Sequence, residues 1–122
     1  MDVKAEIIGM AKNAKAAAAA LSRVSSKVKD KALLEMADEL LRQKDVLIGE
    51  NGKDLEYART AGLSEAMLDR LTLKEATLNG MAAGLREVAA LPDPVGKVTS
   101  MWKRPNGLLV GRMRIPLGVI GI

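Results

Sequence analysis

Apolar residues recur every three to four positions along most of residues 4–91, which is the spacing of one face of an α-helix. The spacing predicts five successive helices. Their predicted bounds are residues 4–21, a stretch ending at residue 41, residues 44–61, residues 64–70 and a stretch ending before Pro92. The side chains predicted to point inward include Leu47, Leu55, Ala58 and Ala61 in the third helix and Leu78, Met81, Leu85 and Val88 in the last.

Several residues at the predicted helix ends favour termination or capping. Ser25 or Ser26 can cap the second helix, because a serine hydroxyl accepts an unpaired backbone N–H. Gly62 follows the third helix, where a left-handed residue is expected. Thr72 and Glu75 have the T-x-x-E spacing of a capping box, which predicts that Thr72 caps the last helix.

Strand-like sequence begins near residue 97 and contains the dipeptide Asn106-Gly107. A two-residue type I′ turn prefers this dipeptide, because both central residues need positive φ. The turn length fixes the register of the hairpin, and here it places Lys103 opposite Val110.

In that register one face of the hairpin is mainly apolar. The other face carries Lys103, Arg112 and Arg114. One interpretation is a solvated polar face on a hairpin that covers a core. The other is that the hairpin leans on another subunit or domain, because an isolated two-stranded ribbon is only marginally stable.

Residues 117–122 are short and apolar, which predicts a strand buried on both faces of a parallel sheet. Such a strand needs neighbours, and helices followed by one sheet strand do not close a core. The sequence therefore predicts an α/β fold of which this chain is the N-terminal portion.

The composition is that of a globular protein, with 48% hydrophobic and 28% charged residues. Cysteine and histidine are both absent, which excludes a thiol nucleophile, an imidazole base and His/Cys metal sites from these residues. The net charge of +4 is scattered among acidic residues, so we expect no nucleic-acid partner. We expect neither a signal peptide nor a membrane span, and a cytoplasmic location.

No catalytic constellation emerges from the residues themselves. Gly118 and Gly121 do not have the spacing of a phosphate-binding loop. Ser64 is interpreted as a helix cap because the chain offers no base to activate it. Asp38 and Glu39 are adjacent on a helix and do not face each other.

Three segments carry a family resemblance: GLSEAMLDRL at residues 62–71, DPVG at 93–96 and RIPLGVIG at 114–121. In this order and at these separations they resemble the start of the γ-glutamyl phosphate reductases, a family of the aldehyde dehydrogenase superfamily. The resemblance covers essentially the whole chain.

The resemblance implies NADPH-dependent reduction of L-glutamate 5-phosphate to L-glutamate 5-semialdehyde, a step of proline biosynthesis. In this chemistry a cysteine thiolate expels phosphate and leaves a thioester that accepts hydride. The chain has no cysteine, so the nucleophile lies elsewhere and the chain alone is expected to be inactive.

The resemblance also implies an aldehyde dehydrogenase-like division of the chain. Residues 1–96 form the helical part of a cofactor-binding domain, and residues 97–116 form a hairpin that builds a homo-oligomer. Residues 117–122 form the first strand of a Rossmann-like sheet. Gly121 and Ile122 border the NADPH site, which lies mostly beyond them.

Two alternatives remain open. The chain could belong to another enzyme of the aldehyde dehydrogenase superfamily with a different aldehyde or acyl phosphate as substrate. It could also be a free-standing helical binding module. The cations that such a module would use on a polyanion are Lys103, Arg104, Arg112 and Arg114.

Overall fold

A computed structural model describes residues 2–122, which form five α-helices and one antiparallel pair of strands. The helices are α1 (Val3–Leu21), α2 (Ser26–Arg42), α3 (Lys44–Thr60), α4 (Glu65–Leu71) and α5 (Glu75–Ala90). The strands are β1 (Val98–Lys103) and β2 (Leu109–Met113). All five predicted helices are therefore confirmed, with bounds close to those expected.

The chain divides into two compact units. The helical unit contains residues 27–91. The hairpin unit contains the residues up to 26 together with residues 92–122. α1 thus belongs to the same unit as the hairpin, and the predicted domain boundary between residues 96 and 97 stays a prediction.

The core of the helical unit is small and rich in alanine. Its buried side chains are Ala37, Ala58, Leu68, Leu78 and Ala82. Small side chains let helices approach closely, and Leu78 is the one large side chain among the described residues that is fully buried. Burial of such a leucine stabilises the fold by about 1.5–3 kcal/mol.

The inward stripe of α5 differs from the predicted one. Leu78 and Ala82 are buried and Leu85 is half-buried, whereas Met81 and Val88 are about half exposed. Positions four residues apart lie on one helix face, so Leu78 and Ala82 lie on the same face of α5. Because Ala82 is buried and Met81 is not, the buried face is turned by about one residue from the predicted one. The predicted burial of Met81 and Val88 is therefore wrong.

Asn51, a polar residue in the inward row of α3, ties this helix to the connection between α4 and α5. Its amide nitrogen donates to the Leu71 carbonyl at 3.0 Å, and the Leu73 N–H donates to its amide oxygen at 2.7 Å. The Asn51 side chain thus provides hydrogen-bond partners for two backbone groups in the connection between α4 and α5, where no helix or strand provides them.

The predicted capping box at Thr72 is wrong. The Thr72 hydroxyl donates to the Leu68 carbonyl at 2.7 Å, and α5 begins at Glu75 with Lys74 as its N-cap residue. The Glu75 carboxylate pairs with the Lys44 ammonium at 2.6 Å instead of reaching back to the cap. Thr72 therefore bonds to a carbonyl of α4 and Glu75 pairs with a lysine of α3, and neither makes the bonds of a capping box.

The other predicted end residues are partly confirmed. Gly62 has a φ of +79°, the left-handed conformation expected after a helix. Ser64 occupies the N-cap position of α4 but its side chain makes no capping bond. Ser26 is the first residue of α2, and its hydroxyl donates to the Asp93 carboxylate at 2.9 Å rather than capping the helix.

The hairpin turn contains three residues rather than two. The Gly107 N–H donates to the Arg104 carbonyl at 2.9 Å, and the Arg104 N–H donates to the Leu108 carbonyl at 2.7 Å. Pro105 presets the first dihedral of a type I turn, and Gly107 follows with a φ of +90°. Asn106 has no positive φ, so the predicted type I′ turn is wrong.

The longer turn shifts the register by one residue. Lys103 pairs with Leu109, and Arg112 pairs with Ser100. A shift of one residue exchanges the faces of one strand relative to the other. Arg112 consequently shares a face with Trp102, Lys103 lies on the opposite face, and the predicted single polar face is wrong.

A β-bulge at Thr99 places Val98 on the same face of the hairpin as Met101. Val98 pairs with Met113 and Ser100 with Arg112, which leaves Thr99 as the extra residue of β1. Its hydroxyl donates to the Arg112 carbonyl at 3.3 Å. The face opposite Trp102 therefore carries Val98, Met101, Lys103, Leu109, Gly111 and Met113.

Residues 114–122 form neither helix nor strand, so the predicted strand at 117–122 is absent from the structure of the described residues. Gly118 has a φ of +87°, which interrupts the extended backbone, and the side chains that follow are exposed. A strand also needs a paired neighbour, and in residues 2–122 the sheet consists of β1 and β2 alone.

Among residues 2–122, no helix combines the length and the apolar character needed to cross a bilayer.

Asn51→Ala should lower the free energy of unfolding by about 1–3 kcal/mol, because it leaves the Leu71 carbonyl and the Leu73 N–H without their partner. Urea unfolding checks this. Asn79→Ala is the matched control, since Asn79 is exposed in α5 and its side chain makes no hydrogen bond among the described residues. Equal losses for both variants would contradict the bridging role.

The register can be tested with cysteine pairs, because the natural chain has no cysteine. Lys103→Cys with Leu109→Cys should form a disulfide on mild oxidation, since the two residues are direct cross-strand partners. Lys103→Cys with Val110→Cys, the pair implied by a two-residue turn, should stay largely reduced. Thiol counting by intact mass after alkylation distinguishes them, and the reverse preference would refute the observed register.

Candidate functional site

The hairpin unit contains an open groove of about 920 Å³. One wall is a face of α1, and the other is the chain that leaves β2. The lining residues are Ala11, Lys15, Ala18, Ala19, Ser22, Val95, Gly96, Met113, Arg114, Ile115, Pro116, Gly118 and Val119. A groove of this size falls within the range of small-molecule sites, and its wall is mostly apolar.

Local sequence explains both walls. The α1 wall consists mainly of alanine, which leaves room beside the helix axis. The opposite wall is held by backbone bonds, because the Gly96 N–H donates to the Arg114 carbonyl at 2.9 Å and the Arg114 N–H donates to the Lys97 carbonyl at 2.9 Å. Pro116 and the positive φ of Gly118 then turn the chain out of the strand direction.

The polar groups of the groove favour binding over catalysis. Its charged residues are Lys15 and Arg114, and no carboxylate lines it. The Ser22 hydroxyl donates to the Ala19 carbonyl at 2.8 Å, so it is already bonded within its own helix turn. With two cations, no base and no acid, the lining suits an apolar group that carries negative charge.

The predicted cofactor neighbours lie outside this groove. Gly121 and Ile122 are exposed and do not line it. Within residues 2–122, no group of three or more metal-ligating side chains is close enough to hold a metal ion.

The ion pairs of the helical unit are structural. Arg86 of α5 contacts Asp38 of α2 at 2.7 Å, and Lys44 of α3 contacts Glu75 of α5 at 2.6 Å. These pairs join helices far apart in sequence and line no enclosed cavity. Asp38, which the sequence analysis considered together with Glu39 as a carboxylate pair, thus forms an ion pair with Arg86.

Three pKa values are displaced by these contacts. Hydrogen bonds from Arg42, and secondarily from Gln43, lower the pKa of Glu39. The hydrogen bond from Lys44 lowers the pKa of Glu75, and the same contact raises the pKa of Lys44. All three groups are on the surface, so the shifts reflect local pairing and not a buried catalytic site.

Comparison with known proteins gives one consistent result. No protein-family model matches the chain. Proteins named γ-glutamyl phosphate reductase match all 122 residues, with 56% identity in Geotalea daltonii, 57% in Geobacter sp. strain M21 and 49% in Halothermothrix orenii. The chain spans about 29% of the length of these curated relatives.

Solved structures agree with the sequence relatives. The crystal structure of γ-glutamyl phosphate reductase from Thermotoga maritima has a TM-score of 0.86 and 32% identity, covering 91% of this chain and 27% of that one. The reductase structure from Saccharomyces cerevisiae has a TM-score of 0.80 and 31% identity, covering 88% and 28%. The resemblance drawn from the sequence motifs is confirmed.

The Lys44–Glu75 pair should make stability depend on pH. The lowered pKa of Glu75 means that its contribution is present above the ordinary carboxyl value and is lost as the pH falls through the folded value. The raised pKa of Lys44 means that the contribution is lost at the alkaline end, as the pH rises through its folded value. Glu75→Gln should therefore lower the urea midpoint at neutral pH, and the difference from the natural chain should shrink progressively as the pH falls below the ordinary glutamate value.

Glu65→Gln is the control for this experiment. Glu65 begins α4 as Glu75 begins α5, but it makes no ion pair among the described residues. Both substitutions remove a charge that favours a helix N-terminus, so the difference between them isolates the contact with Lys44. Equal midpoints for the two variants at neutral pH would contradict the stabilising role of the pair.

Proposed function

We propose that this chain is the N-terminal segment of a γ-glutamyl phosphate reductase of the aldehyde dehydrogenase superfamily. The whole enzyme would convert L-glutamate 5-phosphate, NADPH and a proton into L-glutamate 5-semialdehyde, NADP⁺ and phosphate, in the proline biosynthesis of the cytoplasm. The observation that carries the proposal is the 49–57% identity over the entire chain to proteins with that name.

The part played by these residues is architectural. The chain has neither cysteine nor histidine, so it supplies no nucleophile and no imidazole base. In the whole enzyme, residues 117–122 would pair as the first strand of the Rossmann-like sheet, which explains why they are apolar yet exposed here. Gly121 and Ile122 would then border NADPH, whose site lies mostly beyond them.

The hairpin is the proposed homo-oligomer contact. Val98, Met101, Leu109 and Met113 share one face and each is more than half exposed. A two-stranded ribbon with such a face gains stability only when the face is covered. A second subunit supplies that cover in the proposal.

A chimera tests the proposed activity on this chain itself. The 122 residues replace the matched segment of the reductase from Geobacter sp. strain M21, which is 57% identical. The purified chimera should oxidise NADPH with L-glutamate 5-phosphate within about tenfold of the parent rate, because swaps that keep core volume and patterning are well tolerated. It should also restore growth of a proline auxotroph that lacks the reductase.

Two controls define the result. The parent enzyme without the segment and the isolated 122-residue chain should both leave NADPH unchanged, the latter because it has no cysteine. A chimera with parent-like circular dichroism that ignores L-glutamate 5-phosphate but reduces another acyl phosphate or aldehyde would favour a different superfamily enzyme. A folded chimera inactive on all of them would refute the proposed function.

A further inference from the structure

Three of the four asparagines in the chain are followed by a glycine. The three pairs are Asn51-Gly52, Asn79-Gly80 and Asn106-Gly107. A glycine has no side chain to shield its backbone nitrogen, so this nitrogen approaches the preceding asparagine side chain more easily than the nitrogen of any other residue. The three pairs share this chemistry and differ in the structure around them.

The reaction open to such a pair is an intramolecular attack. The glycine backbone nitrogen loses its proton and adds to Cγ of the asparagine side chain, and the side-chain amide leaves with that proton as ammonia. The product is a cyclic succinimide, which water opens at either carbonyl carbon to give aspartate or isoaspartate. One C–N bond forms and one breaks in the first step, water is the co-reactant of the second, and nothing is oxidised or reduced.

Two of the pairs lie inside helices, which oppose the attack. Gly52 belongs to α3 and Gly80 to α5. Helical geometry commits each of these backbone N–H groups to the carbonyl four residues earlier, so the nitrogen is released only when the helix opens locally. Asn51 is held further by its two bonds to the connection between α4 and α5. Asn79 is exposed, and the helix is its only protection among the described residues.

The third pair lies in the exposed turn of the hairpin, outside the apolar face that the strands form. One turn bond holds the Gly107 nitrogen, which donates to the Arg104 carbonyl at 2.9 Å. Every residue of β1 and β2 is exposed apart from the half-buried Val110. Opening of this end of the ribbon therefore uncovers little buried surface and costs less free energy than opening of a helix interior.

The Asn106 side chain is also positioned as the electrophile. Its amide oxygen accepts from the Leu108 N–H at 3.2 Å, which folds the side chain toward the backbone that follows it. This oxygen gains negative charge when the Gly107 nitrogen adds to Cγ. A backbone N–H aimed at an oxygen where charge develops stabilises that charge.

We propose that Asn106 is a site of spontaneous deamidation selected by the fold, and that α3 and α5 protect Asn51 and Asn79. The reaction replaces a neutral amide with a carboxylate in the turn. Its isoaspartate product also adds one carbon to the main chain there, so it alters the turn that sets the register of β1 against β2. Deamidation at Asn106 does not depend on the activity of the whole enzyme.

Peptide mapping of the full-length protein by mass spectrometry measures the three sites together. Samples of the folded protein kept at neutral pH are digested at intervals, and conversion of amide to acid is followed at each asparagine. Deamidation at Asn106 should be at least about tenfold faster than at Asn51 or Asn79, because the helical sites react only after local unfolding. In guanidinium chloride the three rates should agree within about threefold, because the pairs then share an unfolded environment.

Two matched variants check the assignment. Asn106→Gln should lose the fast reaction, because a longer side chain closes its ring more slowly, whereas Asn79→Gln should leave it unchanged. Labelling with an isoaspartate methyltransferase and a tritiated methyl donor should therefore be strong for Asn79→Gln and at background for Asn106→Gln. The rate at Asn106 should also rise between about pH 6 and pH 8, because the nitrogen attacks after losing its proton.

The native series decides the outcome without any variant. A rate at Asn106 less than about tenfold above that at Asn79 would show that the fold does not select the site, and would overturn the proposal. A folded protein that keeps Asn106 intact would overturn it as well. Activity toward L-glutamate 5-phosphate is measured separately, so an inactive protein that deamidates at Asn106 refutes the proposed function alone. An active protein with equal rates at the three sites refutes the selective deamidation alone.

Discussion

A core made mostly of small side chains is the constraint on which the helical unit depends. The buried side chains of α2, α3 and α5 are Ala37, Ala58, Leu78 and Ala82, and among the described residues Leu78 is the one large side chain that is fully buried. A core of this kind buries little apolar surface for its length, so contacts that would be secondary elsewhere become important. Asn51 is one of these, since its two bonds hold the connection between α4 and α5 against α3.

The small size of the core also means that many apolar side chains stay exposed. Few large side chains are buried, so many apolar ones are exposed on the helices, on the hairpin and on residues 114–122. Contiguous exposed apolar surface is typical of interaction sites and of ligand-binding grooves. The groove beside α1 and the apolar face of the hairpin are two such surfaces.

Sequence patterns predicted what is locally determined and missed what distant residues decide. The helices follow from apolar spacing, and Gly62 and Pro92 mark where two of them end. The hairpin register depends on whether Pro105 belongs to the turn. The dipeptide Asn106-Gly107 fits a two-residue turn and a three-residue turn, so it does not decide between them. The role of Asn51 was missed because a polar residue on a helix is usually interpreted as exposed to solvent. Its backbone partners also lie about twenty residues away in the sequence. The groove had no local signature either, because nothing in residues 113–119 indicates that they face α1.

Net charge illustrates why averaging over a chain misleads. A surplus of +4 looks like a solvated surface when the basic residues are scattered among acidic ones, and this is true of the helical unit, where Arg86 and Lys44 have partners. It is untrue of residues 95–122, which have no acidic residue at all. The cost of holding five like charges on one short ribbon is tolerable in water, where the charges are screened.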